Sequence, residues 1–244
     1  MSARVAAVLP AAGAGRRMGG VRKPFLDVAG EPMLLHAVRP FLAHRAVEWV
    51  IVVLAPEDAS RPPAWLTGLD PRVRVVAGGA ERGDSVRLGL EAVPEEADIV
   101  LIHDAARPLV TVAEVERAAA AAARGVGAVV AVPVVDTLKQ ADGRGHVIGT
   151  REREGLWHAQ TPQAFPRAMI MEAHRRAARD GITATDDAAL VERYGGDVVL
   201  IEGSRANIKV TTPQDLELAR ALLAVRREAR RAGEAASTAD HRLP

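Results

Sequence analysis

Apolar residues fall along this chain in two alternating rhythms. Short unbroken runs recur at Arg4–Leu9, Val47–Leu54, Val73–Ala77, Asp98–Ile102 and Gly127–Val132. Each is the length of a strand and predicts one buried on both faces. Between these runs the spacing becomes helical. Pro32–Ala43 puts Leu34, Leu35, Val38, Phe41 and Leu42 on or near one face. Asp84 and Ser85 lie near the start of a helix running to about Val93, and Thr111 is a suitable N-cap for an alanine-rich helix to Ala123. Arg61–Pro63 is proline-rich and marks a surface loop. Strands alternating with helices predict an α/β fold, a parallel sheet covered on both faces.

The rhythm changes after Pro133. Val134–Gln140 and His146–Arg151 flank the turn Ala141-Asp142-Gly143-Arg144-Gly145 and read as a β-hairpin. Its strands are polar and weakly patterned, which predicts an arm projecting from the body and packing on a second subunit. Helices follow near Pro166–Arg179 and Asp186–Tyr194, then a strand at Asp197–Ile201 and a final helix at Pro213–Ala224. Val225–Pro244 carries little apolar content and reads as a solvated helix extension or a disordered tail. No repeat or linker divides the chain, so residues 1–224 are expected to form one domain, with the arm at about 134–153 and an extension over 225–244.

Composition narrows the possibilities. Aromatic residues are 3% of the 244, so Val, Leu, Ile and Ala must fill the core, as suits parallel strands under alanine-rich helices. The net charge of +1 recruits neither nucleic acid nor an anionic membrane. There is no cysteine, which excludes disulfides, thiolate metal sites and cysteine nucleophiles. The N-terminal apolar run is broken by Pro10 and flows into a glycine loop, so it reads as a first strand and not a signal segment. No stretch is long enough to span a bilayer, and a cytoplasmic enzyme is expected. Of 32 basic residues only Lys23, Lys139 and Lys209 are lysines. A lysine kept in such a background suggests a need for a compact point charge on a flexible stem.

The most informative segment is PAAGAGRRMGG at Pro10–Gly20, followed by Lys23. It lacks the third glycine of the dinucleotide fingerprint, because Met18 stands there, and Lys23 precedes Pro24 instead of the P-loop Ser or Thr. What remains is a backbone able to approach phosphates with Arg16, Arg17 and Lys23 beside it. Ligands of open α/β sheets bind beyond the carboxyl ends of the strands. The segments after successive strands are Ala11–Met18 with Lys23, then Gly78-Gly79-AERGDS, then Asp104–Arg107, then Asp136-Thr137. All are rich in residues that suit backbone recognition and phosphate binding. Asp104 suits Mg²⁺, a ribose hydroxyl or a substrate hydroxyl, or else a turn cap or a pair with Arg107. His103 has no second ligand at zinc spacing, and Ser85 lacks both a G-x-S-x-G elbow and a His–Asp relay, so neither a zinc site nor a serine hydrolase is predicted. Thr212 and Pro213 are explained as N-cap and N1 of the last helix, whereas Lys209 has no such explanation. Thr161 precedes Pro162, where its hydroxyl suits an anion or a turn.

In order along the chain stand PAAGAGRRM, Lys23-Pro24, GGAERGDSV, HDAARP, VPVVDTLK, GLWHAQTPQAF, TDDAALVE and NIKVTTPQDL. From about Arg4 to Leu223 the chain resembles the 2-C-methyl-D-erythritol 4-phosphate cytidylyltransferase family of the non-mevalonate isoprenoid pathway. The resemblance implies a Rossmann-like nucleotidyltransferase fold whose hairpin arm exchanges between the subunits of a homodimer. It implies transfer of CMP from CTP to methylerythritol phosphate, dependent on Mg²⁺ or a substituting divalent cation. By the same resemblance, Arg17 and Lys23 stabilise the transition state, and Arg153 and Lys209 position the acceptor phosphate. Ala11, Ala12, Gly13, Gly79 and Ser85 match positions that contact the nucleotide. Asp104 and Arg107 match positions near the ribose and the acceptor, and Thr137, Thr161 and Thr185 match acceptor-side positions. Thr137 and Arg153 lie on or beside the arm, where they can serve a partner's site. Ala80 departs from members that carry an acidic residue there, which puts the reading of cytosine onto backbone groups.

The chemistry asked of such a site is simple to state. A phosphate monoester is already an anionic nucleophile and needs no general base. The difficulty is bringing one anion against another, so cations must screen both. Three other readings share the motif set: a cytidylyltransferase for another polyol phosphate such as ribitol 5-phosphate, a uridylyl- or guanylyltransferase of the same fold, and a nucleotide-binding protein without turnover.

Overall fold

The computed structural model describes residues 3–13 and 22–240, with side chains up to 229. Strand β1 (Val5–Pro10) leads towards the glycine loop. A 3₁₀ turn at Lys23–Phe25 precedes the small strands β2 (Asp27–Val28) and β3 (Glu31–Pro32), which pair with each other. There follow α1 (Met33–Ala43), β4 (Val47–Leu54), the short helices α2 (Pro56–Ser60) and α3 (Ala64–Thr67), β5 (Val73–Ala77) and α4 (Arg82–Glu91). Then come β6 (Ile99–Ile102), α5 (Val112–Ala122) and β7 (Gly127–Pro133). The arm is β8 (Leu138–Ala141) and β9 (Val147–Arg151). The chain closes with β10 (Trp157–Pro166), α6 (Arg167–Asp180), α7 (Asp187–Arg193), β11 (Val198–Glu202) and α8 (Pro213–Asp240).

Seven strands form one sheet in the order β11-β7-β10-β6-β1-β4-β5. Strand β1 lies in its middle, parallel to β4 and β6. A strand paired on both edges and covered on both faces must be apolar throughout, and Val5–Leu9 are all buried. Alternate residues divide between the two faces. Val5, Ala7 and Leu9 join Leu34, Val38, Phe41, Leu66, Val115 and Ala118 on one side. Ala6 and Val8 join Val86, Leu90, Ile170, Ala173 and Val191 on the other. A third cluster of Val28, Met33, Leu109, Val210, Leu216, Ala219 and Leu223 fixes α8 beside the small β2–β3 pair.

The sheet is mostly parallel, not wholly so. Strand β10 runs antiparallel to both neighbours, β6 and β7, in the sheet interior. The sequence reading has no strand there, for a physical reason. Pro162 lies mid-strand, the register shifts between Ala159 and Gln163, and Trp157–Ala159 are exposed, so no period-2 alternation survives.

The arm is the hairpin that the Asp-Gly turn predicts. Asp142 Oδ1 accepts the N–H groups of Arg144 and His146 at 2.8 and 3.0 Å, closing the loop. Its paired strands are shorter than the extended runs in sequence, because Val134 instead donates to the Leu156 carbonyl at the arm's base. Thr111 caps α5, accepting from Glu114 N at 3.2 Å. Thr212 caps α8, which runs on past Ala224 to Asp240.

Candidate functional site

A cavity of about 420 Å³ opens beyond the carboxyl ends of β1, β5 and β6. Ala11, Ala12 and Gly13 form one wall, Gly79 through Arg82 with Ser85 a second, and Asp104–Ala106 a third. Lys23 and Lys209 complete the lining. Backbone packing sets this shape. A Cβ on Gly78 would come within 2.6 Å of the Ala12 Cβ and 2.7 Å of Ser85 Oγ. One on Gly79 would lie 2.4 Å from the Asp84 Cβ. Only glycine lets the loop after β5 press against both the first wall and the start of α4. Ser85 is buried, accepting from Gly79 N at 3.2 Å and donating to the Glu81 carbonyl at 3.1 Å, which fixes the loop to the helix.

Asp104 is the electrostatic centre of the cavity. Arg82 Nε donates to its Oδ1 at 3.0 Å, and Lys209 Nζ lies 2.6 Å from its Oδ2. Burial by itself would raise the Asp104 carboxyl, but Arg82 and Lys209 hold it well below the usual carboxylate range. Arg82 also donates to Asp187 Oδ2 at 2.9 Å. Burial opposes its charge, and the two carboxylates more than offset that, raising its pKa. Asp187 Oδ1 meets His174 Nε2 at 3.1 Å, and Gln163 Oε1 accepts from Asp187 N at 3.1 Å.

Beneath Asp104 lies a second polar chain. His103 is fully buried, and burial lowers its pKa to about 4, so the ring is neutral at pH 7. Its Nε2 is 3.1 Å from the Arg107 carbonyl, which can only accept, so Nε2 carries the proton. Nδ1 is then an acceptor and takes the Thr161 hydroxyl hydrogen at 2.9 Å. Thr161 Oγ1 in turn accepts from Asp104 N at 3.1 Å. Thr161 is therefore buried and engaged behind Asp104. Arg107 is turned away from the Asp104 carboxylate, with Nη1 donating to the Asn207 carbonyl at 2.7 Å.

Lys209 owes its place to the segment around it. Asn207 is fully buried and donates to the Thr161 carbonyl at 2.9 Å, and Val210 N donates to the Ala106 carbonyl at 2.8 Å. Lys23 Nζ lies 3.5 Å from the Val210 carbonyl, so two lysines from opposite ends of the chain share one rim.

Of the residues singled out in sequence, the structure gathers Ala11, Ala12, Gly13, Lys23, Gly79, Ser85, Asp104 and Lys209 around this cavity. Arg107 and Thr161 sit behind its wall. Thr137 and Arg153 lie on the exposed arm, with the Arg153 guanidinium on the Val135 carbonyl, and neither lines the cavity. Thr185 is exposed beside Asp186, the N-cap of α7. Arg17 lies outside the described residues. Arg82, Asp187 and His174 escape the sequence reading as individuals. Arg82 sits within GGAERGDSV and Asp187 within TDDAALVE, but nothing in linear sequence pairs two carboxylates with an arginine 105 residues from one of them.

No group of three or more His, Asp or Glu side chains is arranged for a metal among the described residues. Both carboxylate oxygens of Asp104 are taken by cations. No helix of the described residues is long and apolar enough to cross a membrane.

A family model for 2-C-methyl-D-erythritol 4-phosphate cytidylyltransferase matches residues 5–225. Over 221 residues the chain is 46% identical to the enzyme of that name from Symbiobacterium thermophilum, covering 90% of this chain and 92% of that one. It is 47% identical over 223 residues to the one from Syntrophotalea carbinolica, covering 88% and 94%. The fold is similar to the crystal structure of 2-C-methyl-D-erythritol 4-phosphate cytidylyltransferase from Thermus thermophilus, with a TM-score of 0.76, 38% identity and coverage of 88% and 97%. It is also similar to 4-diphosphocytidyl-2C-methyl-D-erythritol synthase from Anaerococcus prevotii, with a TM-score of 0.81, 27% identity and coverage of 91% and 96%.

Proposed function

The chain belongs to the 2-C-methyl-D-erythritol 4-phosphate cytidylyltransferase family, and on that premise we propose how its side chains divide the work. The activity is transfer of CMP from CTP to 2-C-methyl-D-erythritol 4-phosphate in isoprenoid biosynthesis. The observation that carries the site reading is the meeting of the glycine loop after β1, the loop after β5, Asp104 and the two lysines around one cavity.

CTP occupies that cavity. Its base and ribose lie against Ala11–Gly13, Gly79, Ser85 and Asp104, and its triphosphate reaches towards Arg17 and Lys23. The acceptor phosphate enters over Lys209. It attacks the α-phosphorus of CTP, a new P–O bond forms, and the bond to the β-phosphate breaks to release pyrophosphate. The nucleophile carries no proton that must be removed, so the residues supply charge and alignment. Lys23 and Arg17 lower the cost of charge on the pentacoordinate phosphorus. Lys209 and Arg153 hold the acceptor in line, with Thr185 on the acceptor side of the site, while Arg107 and Thr161 support that side from behind the cavity wall.

Mg²⁺, or a divalent cation in its place, is proposed to accompany the triphosphate. The donor set supports an ion held by phosphate oxygens and water, since Asp104 already holds two cations and no carboxylate cluster is present among the described residues. When bound it neutralises phosphate charge.

The arm is proposed to pack on a second copy of the chain, which would make a homodimer and carry Thr137 and Arg153 to the partner's site. Val147 and Ile148 are 62% and 61% exposed, and Val135, Leu156 and Trp157 are exposed nearby, an apolar surface that a partner would cover. The enzyme is proposed to work in the cytoplasm. Pyrophosphate release should be seen with CTP alone of the four nucleoside triphosphates, and only with methylerythritol phosphate present. Release with another triphosphate, or without acceptor, would overturn the reading.

A further inference from the structure

We propose that Arg82 is a positioning residue for Lys209, acting through the carboxylate that they share. The inference rests on the functional reading above, which places Lys209 on the acceptor phosphate.

The geometry is a line of four alternating charges, Asp187, Arg82, Asp104 and Lys209, with the His174 ring behind it. His174 Nε2 meets Asp187 Oδ1 at 3.1 Å, and Asp187 Oδ2 takes Arg82 Nη2 at 2.9 Å. Arg82 Nε donates to Asp104 Oδ1 at 3.0 Å, and Asp104 Oδ2 lies 2.6 Å from Lys209 Nζ. The guanidinium thus forks between two buried carboxylates, Asp104 at 8% and Asp187 at 1% exposure. The backbone that carries each carboxylate is also fixed: Thr161 Oγ1 accepts from Asp104 N, and Gln163 Oε1 accepts from Asp187 N. The Lys209 side chain is different. It is 41% exposed and lines the cavity.

An ammonium has three donors, so one bond to Asp104 leaves two for a phosphate. How readily Lys209 gives charge to that phosphate depends on how strongly Asp104 holds it. With Arg82 in place the Asp104 charge is shared between two cations. Without Arg82, Lys209 becomes the cation that a buried carboxylate cannot release. Lys209 would then be drawn to Asp104 and away from the acceptor. A lysine at position 82 restores charge but has no planar fork to bridge both carboxylates.

The test is a double-mutant cycle on steady-state kinetics with calorimetric binding of CTP and of methylerythritol phosphate. Thermal unfolding checks that each variant is folded. Arg82→Gln should raise the acceptor KM about tenfold or more, and by a clearly larger factor than it raises the CTP Kd. Arg82→Lys should recover part of that loss. In an Asp104→Asn background, where Lys209 is already released, adding Arg82→Gln should change the acceptor KM by less than about twofold. Equal weakening of CTP and acceptor by Arg82→Gln, or the same penalty with and without Asp104, would overturn the inference. A folded Arg82→Gln protein with unchanged acceptor KM would do so too. A wild-type protein that binds no acceptor would instead overturn the functional reading and take this inference with it.

Discussion

Replacing Thr161 with valine separates two accounts of that residue. By family resemblance the hydroxyl belongs to the acceptor side, whereas the structure engages it twice within the protein. It donates to His103 Nδ1 at 2.9 Å and accepts from Asp104 N at 3.1 Å, and Thr161 is only 4% exposed. Valine fits the volume but removes both bonds. The ring cannot compensate by exchanging its proton, because Nε2 faces the Arg107 carbonyl, an acceptor that needs the hydrogen. Two buried groups are then unpaired, at about 1–3 kcal/mol each, so the variant should lose about 2–6 kcal/mol. For a chain of this length that corresponds to roughly 5–20 °C in Tm. Differential scanning calorimetry measures it directly. Thr161→Ser, which keeps the oxygen, should stay within about 1 kcal/mol of wild type. A Thr161→Val protein with unchanged Tm and a raised acceptor KM would refute the reasoning and put the hydroxyl on the substrate.

Other expectations follow from the same geometry. Lys23→Ala or Arg17→Ala should lower kcat roughly a hundredfold or more with little change in Tm; near-normal turnover would remove either residue from transition-state stabilisation. The pH dependence of stability has a definite sign. His103 has a folded pKa of about 4 against 6.5 for the free side chain, so the unfolded chain binds the proton first. His36 is shifted in the same direction by burial. Stability should be full above pH 6.5, fall as pH drops towards 4, and fall less steeply in His103→Gln; an unchanged slope in that variant would contradict the assignment. In the arm, Ile148→Asp should convert a dimer to a monomer in light scattering, and a monomeric wild type at high concentration would remove the proposed exchange.

How legible the chain was depended on whether a feature is written locally. The strands Val47–Leu54 and Val73–Ala77 match the sequence reading to the residue, because unbroken apolar runs ending at a turn have few alternatives. The Thr111 cap and the Asp-Gly hairpin were equally plain, since each is a short-range bond between neighbours. Strand β10 was not legible. It is exposed at one end and interrupted by Pro162, and its pairing to β6 and β7 is decided by tertiary contacts. The cavity lining was largely readable because loops following parallel strands must converge. The bonds inside that lining were not. Asp104 suggested a partner in Arg107, three residues away, yet its carboxylate turned to Arg82 and Lys209. Burial explains this: Arg107 is spent on the carbonyls of Asn207 and Ala159, stitching β10 to the segment that carries Lys209.

The most direct test follows the phosphorus atoms. The protein would be incubated with methylerythritol phosphate, Mg²⁺ and CTP labelled at either the α- or the γ-phosphate. Attack at the α-phosphorus puts the α-label into the polyol product and leaves the γ-label in pyrophosphate. Transfer of the γ-label to the polyol, or release of the α-label as free CMP without a polyol adduct, would contradict cytidylyl transfer at this cavity.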